Sequence, residues 1–217
     1  MIARSRMDRT AMWTVVERER SGLADLLSSL DDRQWACPSL CAGWTVREVA
    51  AHLTLGPRMG VRAALIEFVR ARGDFDRMVD GTARREARRP VGQICAELRR
   101  ASTSRHLAPG QSLADAMLDV LVHGQDIAVP LGVERPMPPE PARLSADHVL
   151  RRGFPFHARR RLGGLRLTAT DVDWSTGEGP RVAGPIAALL LLLTGRTDAA
   201  LPRLEGPGLD ALPRPVS

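Results

Sequence analysis

Up to about residue 130, apolar residues recur at intervals of three and four, the spacing of helices that bury one stripe. Four helical segments follow from that pattern, near residues 8–30, 46–72, 91–107 and 112–130, joined by loops carrying Pro, Gly and Ser. Four such segments in series predict a four-helix bundle. Next comes PMPPEP, residues 136–141, a run that cannot continue a helix and marks a boundary. Beyond it a helical stretch after Ser145 gives way to alternation over residues 165–170, a turn at TGEGP, and an apolar helix at 186–193. Pro185 stands at the start of that last helix and Gly195 just past its end, the expected asymmetry. The pattern therefore predicts a mainly α protein, with a helical bundle over residues 1–135 and a small α+β domain over 143–217.

Two stretches place polar side chains where the helical pattern gives them chemical meaning. In PSLCAGWTVREVAAHL, residues 38–53, Thr45 and Glu48 have the spacing of a capping box, and Trp44 and Val49 that of a hydrophobic staple. This start places His52 two turns into a helix, at the edge of the stripe formed by Val46, Val49 and Leu53. In DVLVHGQD, residues 119–126, Asp119, His123 and Asp126 follow one helical stripe, with Asp115 a turn earlier and apolar residues around them. Taken singly, each of these residues is more often a hydrogen-bonded boundary side chain than a ligand. Together they read differently. A carboxylate and an imidazole four residues apart reach one ion, and a third ligand from a neighbouring helix makes three, the number found in catalytic zinc sites that keep a position open.

Composition changes this picture mainly by exclusion. The net charge of +6 comes from 31 basic residues, all of them Arg, in a chain with no Lys, Asn or Tyr. Those three residues have A/T-rich codons, so the Arg excess reads as the imprint of G/C-rich coding, and neither a nucleic-acid nor a membrane partner is expected. A Schiff-base lysine, a phosphate-loop lysine and a tyrosine acid are excluded. The N-terminal MIARSRMDRTAMW has no apolar stretch of signal-peptide length, and the longest apolar run, Ile186–Leu193, is too short to span a bilayer. A cytoplasmic location is the expectation. Cys37, Cys41 and Cys95 have neither CxxC spacing nor a secretory context and read as thiols, with Cys41 packing beside Trp44. The run RREARR, residues 84–89, reads as a solvated face, and His106, His148 and His157 have no partner at ligand spacing.

CAGWTVREVAAHL, followed some way downstream by DVLVHGQDIAVPLG, resembles the mycothiol-dependent maleylpyruvate isomerase family of the DinB-like metal-binding superfamily. The stretch LRLTATDVDWSTGEGPRVAGPIAALLLLLTGR is similar to that family's small C-terminal domain, so the resemblance covers nearly the whole chain. It implies a DinB-like bundle whose metal ligands are His52, Asp119 and His123, with zinc the expected divalent ion and mycothiol the thiol cofactor. Asp126 is expected to hold a ligand in place, and Arg58 and Arg84 are candidates for binding the thiol. Where the family pattern has Glu, this chain has Asp119, one methylene shorter. The activity implied is that of an isomerase or thiol transferase, in which a metal-activated thiolate adds to a small electrophilic, maleylpyruvate-like substrate. The alternative is a non-catalytic metal- or ligand-binding or regulatory protein of the same fold. The sequence does not specify an oligomeric state.

Overall fold

The computed structural model describes residues 7–212; the outermost residues, on which part of the reading of MIARSRMDRTAMW rests, lie outside the described residues. The chain divides into two compact units, Met1–Arg135 and Pro136–Ser217.

The first unit is all helical: α1 (Arg9–Ser28), α2 (Asp32–Trp35), α3 (Val46–Leu53), α4 (Val61–Arg70), α5 (Phe75–Glu86), α6 (Val91–Ser102) and α7 (Leu113–Ala128). Four of them make the bundle, α1 packing on α6 and α7, and α3 on α6 and α7. Their shared stripe supplies the core, in which Leu23, Leu27, Val49, Ile94, Leu98 and Ile127 are almost wholly out of water. Each such side chain contributes about 1.5–3 kcal/mol by its removal from water. The starts of the site-bearing helices are fixed locally. Thr45 and Glu48 close a capping box at α3, and Ser112 and Asp115 close another at α7.

Two features depart from the sequence pattern. The segment expected over 46–72 is two helices, because Pro57 has no N–H to donate and disfavours helical backbone at Gly56, so the chain turns between Leu53 and Gly60 before α4 begins. Helix α5 had no counterpart in the expected four. Its sequence, FDRMVDGTARRE, has too few apolar positions for a clear period. It is held by the Asp74 side chain, which accepts from Arg77 N–H, and by packing on α3 and α4. The arginine run that closes α5 forms ion pairs: Arg84 with Asp80, Arg85 with Glu67, and Arg89 with Glu86.

The second unit contains α8 (Pro139–Arg152), α9 (Ala158–Arg161), β1 (Arg166–Ala169), β2 (Ser175–Thr176), β3 (Arg181–Gly184), α10 (Ile186–Leu193) and α11 (Thr197–Ala200). Its sheet has the order β2-β1-β3, antiparallel on one side and parallel on the other. Helix α10 is buried along its whole length and packs against α8. The proline cluster does more than mark the boundary: Pro139 and Pro141 sit in the first turn of α8, where the missing N–H has no intrahelical partner to lose. The TGEGP turn requires its glycines, since a Cβ at Gly177, where φ is +75°, would stand 2.2 Å from the Leu165 carbonyl oxygen. Among the described residues, no helix is long and apolar enough to cross a membrane.

Candidate metal centre

The loop before α3 docks on two helices at once and so fixes what approaches the α7 stripe. Leu40 N–H donates to the Asp126 carbonyl, and Ser39 N–H to the Trp44 carbonyl, closing the loop on itself. Trp44 Nε1–H donates to Asp80 Oδ1 at 2.8 Å, while Arg84 bonds both Asp80 and the Gly43 carbonyl. The Trp44 ring lies 5.4 Å from the His52 ring, and the His52 ring meets the His123 ring nearly edge-on at 5.0 Å.

This packing brings His52 of α3 to Asp119 and His123 of α7. Asp119 Oδ1 lies 3.5 Å from His52 Nε2 and 3.3 Å from His123 Nε2. Both separations exceed the usual range of an N–H···O hydrogen bond. They match instead the edges of a tetrahedron around an ion with ligand distances of about 2.0–2.2 Å, whose corners stand about 3.3–3.6 Å apart. The three side chains are 20%, 31% and 15% exposed, in the order His52, Asp119, His123, so the cluster is reachable from solvent.

The other nitrogen of His123 is held from behind. Its Nδ1 lies 2.8 Å from Oδ2 of Asp126, a residue with no exposed surface. If that nitrogen carries the proton it donates to Asp126, and the lone pair of Nε2 is left on the side of Asp119 and His52. Cys41 completes this side: its S–H donates to the same Asp126 Oδ2 at 3.1 Å, and its sulfur lies 3.7 Å from His123 Nδ1. Sequence spacing assigned Cys41 only a packing role beside Trp44. Its partners come from α7, and no local signal in CAGW announces them. His52 lacks the corresponding support, because its Nδ1 is buried without a hydrogen-bond partner, and its ring is positioned by contact with Trp44 and His123.

The charges are strongly coupled. Burial by itself would push the Asp119 carboxyl up, but the adjoining imidazoles of His123 and His52 outweigh it and hold the group far below the usual carboxylate range. Burial would likewise depress His123, yet the adjoining carboxylates of Asp119 and Asp126 and the Cys41 thiol raise it well above its ordinary value of 6.5. The consequence for metal-free protein has a definite sign. Stabilisation from the raised His123 is complete below the unfolded-state value of 6.5 and is lost as pH rises through the folded value, whereas that from Asp119 is lost only on acidification through its depressed value. Chelated protein is therefore expected to have its highest thermal midpoint in mildly acidic buffer and to lose stability through the alkaline range. Thermal unfolding across that range checks this, and His123→Gln should flatten the alkaline slope.

The remaining residues singled out in the sequence lie in other settings. Arg58 bonds the Thr54 carbonyl and hydroxyl and pairs with Glu86 at 2.7 Å, and Arg84 is engaged by Asp80 and Gly43. Cys95 is buried in the bundle core, and no cysteine is in a disulfide among the described residues. His106 donates from Nε2 to the Met59 carbonyl, while His148 and His157 belong to the second unit.

Residues 16–116 match the family model of the mycothiol maleylpyruvate isomerase N-terminal domain. This stretch of the helical unit is similar to that family's N-terminal domain. The match to the mycothiol maleylpyruvate isomerase domain includes Cys41 and His52 and ends before Asp119, His123 and Asp126, whose place in the cluster rests on geometry. The fold is similar to the crystal structure of the mycothiol-dependent maleylpyruvate isomerase, with a TM-score of 0.64, 14% identity and 93% of each chain covered. A mutant of that isomerase, with a histidine replaced by alanine, gives a TM-score of 0.63 at the same identity and coverage. At that identity the likeness establishes the fold. No curated protein sequence matches the chain significantly.

Proposed function

We propose that the protein is a metal- and mycothiol-dependent isomerase or thiol transferase acting on a small, electrophilic, maleylpyruvate-like acid. The observation that carries this reading is the spacing of His52 Nε2, Asp119 Oδ1 and His123 Nε2, too wide for hydrogen bonds and suited to a shared ion. Two imidazoles and one carboxylate fit zinc, and three protein ligands leave a coordination position open. A divalent ion held there would supply the Lewis acidity that favours the thiolate form of an external thiol at neutral pH.

The chain's own groups set up that chemistry. Asp126 fixes the orientation of His123, and Asp119 contributes a carboxylate that stays ionised throughout the physiological range. No side chain is required as covalent nucleophile. Lys and Tyr are absent, and the Cys41 thiol donates to Asp126. Isomerase and transferase share thiol activation and differ in whether the thiol is returned, which product analysis separates.

The test is metal analysis of the purified protein together with thiol-dependent conversion of maleylpyruvate and of a general electrophile. Native protein is expected to turn over, chelated protein to be inactive until zinc is restored, and Cys41→Ser to keep most of its activity because the hydroxyl still donates to Asp126. Activity that survives chelation but disappears in Cys41→Ser identifies a cysteine enzyme instead. Tight metal binding without turnover of any electrophile identifies a binding protein.

A further inference from the structure

Helix α4 turns its small and polar residues inward and its apolar residues to solvent. At about 100° per residue, Ala64, Glu67 and Ala71, the last at the C-cap, share one face, and Val61, Leu65, Ile66, Phe68 and Val69 share the other. Ala71 is buried, and the Glu67 carboxylate is held by Arg70 and by Arg85 of α5. The five apolar residues are between 42% and 73% exposed.

Nine large apolar side chains stand exposed among the described residues; five of them are these, and no other helix holds more than one. Single exposed apolar residues are ordinary, whereas five gathered on one face form a patch. The stripe has the spacing of a helix that buries one face, yet α4 packs on α5 through the opposite one.

The size of the patch suits a contact between proteins. At ordinary side-chain areas, those exposures leave roughly 500 Å² of apolar surface in water on each copy of the chain. Two copies meeting face to face withdraw about 1,000 Å² of it, the size at which a contact becomes specific, before the rim of Arg62, Ala63 and Arg70 is added.

The charges favour a second copy over a lipid surface. Arg62 lies on the apolar face, Arg70 pairs with Glu67, and beyond the helix Arg72 and Arg77 alternate with Asp74 and Asp76. The helix therefore lacks the one-signed basic collar with which an amphipathic helix grips anionic headgroups. A two-fold contact uses the same patch twice, so an almost uncharged face meets its equal. With the two helices antiparallel, the Arg62 side chains stand at opposite ends and the helix dipoles oppose each other.

We propose that the outer face of α4 is the two-fold contact through which two copies of this chain pair, with Leu65, Phe68 and Val69 at its centre. This goes beyond the proposed chemistry and does not depend on it.

The test is sedimentation velocity of the full-length protein from about 1 to 100 µM, the range over which a contact of this modest size dissociates. Native protein is expected to run as two copies at the top of the range and to fall toward one copy on dilution. Leu65→Glu combined with Val69→Glu is expected to run as one copy throughout, a loss of at least roughly 100-fold in affinity between copies. At the lowest concentration its thermal midpoint should match the native one, because both side chains are in water in the single copy, and only the native midpoint should rise with concentration. Val61→Glu, at the most exposed of the five positions, should weaken pairing independently, and the volume-conserving Leu65→Met should retain it. Native protein that stays at one copy across the range overturns the inference. So does a dimer that survives the double variant, since its copies then meet elsewhere. Single copies that bind phosphatidylglycerol vesicles through Leu65 and Val69 identify a lipid surface and overturn it as well.

Discussion

Replacing His123 with alanine is expected to abolish metal retention and thiol-dependent turnover together. His123 contributes Nε2 to the three-residue cluster, and its Nδ1 connects the cluster to the buried carboxylate of Asp126 behind it. A structural zinc with four ligands is held by about 10–16 kcal/mol, so one ligand is worth about 3–4 kcal/mol and its loss weakens binding by roughly two to three orders of magnitude. Alanine also leaves Asp119 and the buried Asp126 without the imidazole between them, which by itself destabilises the fold. His123→Gln is the informative companion, since its amide can still donate to Asp126. Metal content after gel filtration, chelator-competition affinity and turnover should fall in both variants, with the glutamine variant retaining the native thermal profile more closely. A glutamine variant that folds, keeps one equivalent of zinc and turns over normally would remove His123 from the metal centre.

Asp126→Asn is expected to have the next largest effect, without removing any ligand of the cluster. Asn is the same size, so the core around α7 remains packed, but the neutral amide is a poorer acceptor for His123 Nδ1–H and no longer raises the basicity of Nε2. Loss of such a supporting partner costs about 10- to 100-fold in metal affinity. The pH dependence adds a stricter check. Asp126 raises the affinity of His123 for a proton as well as for a metal, so in the native protein the two compete at neutral pH. The gap between native and Asp126→Asn affinities should therefore widen as pH rises and the competing proton is lost. Equal affinities at neutral and alkaline pH would show that Asp126 only fills space beside α7.

What the sequence by itself determined is what short-range physics controls. The capping box Thr45–Glu48 fixes the start of α3 and hence the depth of His52, and the interval between Asp119 and His123 puts both on one face of α7. The continuous apolar run between Pro185 and Gly195 is a buried helix, as its flanking residues require. Each depends on residues within two turns of one another, so each is legible without knowing the fold. The likeness of CAGWTVREVAAHL to a known family selected His52 as the companion of Asp119 and His123, which no helical period can do.

Tertiary structure decided which distant side chains meet. Cys41 reaches Asp126 because the loop before α3 is bonded to the α7 backbone through Leu40, a contact between residues far apart in the chain. Helix α5 forms with a weak apolar period because Asp74 caps it and α3 and α4 pack on it. Arg58 and Arg84 offer a guanidinium each, but the fold pairs them with Glu86 and Asp80. A side chain's type and spacing fix what chemistry it offers. Its burial and the charges packed around it fix whether that chemistry remains available, and those are set only when the helices close on one another.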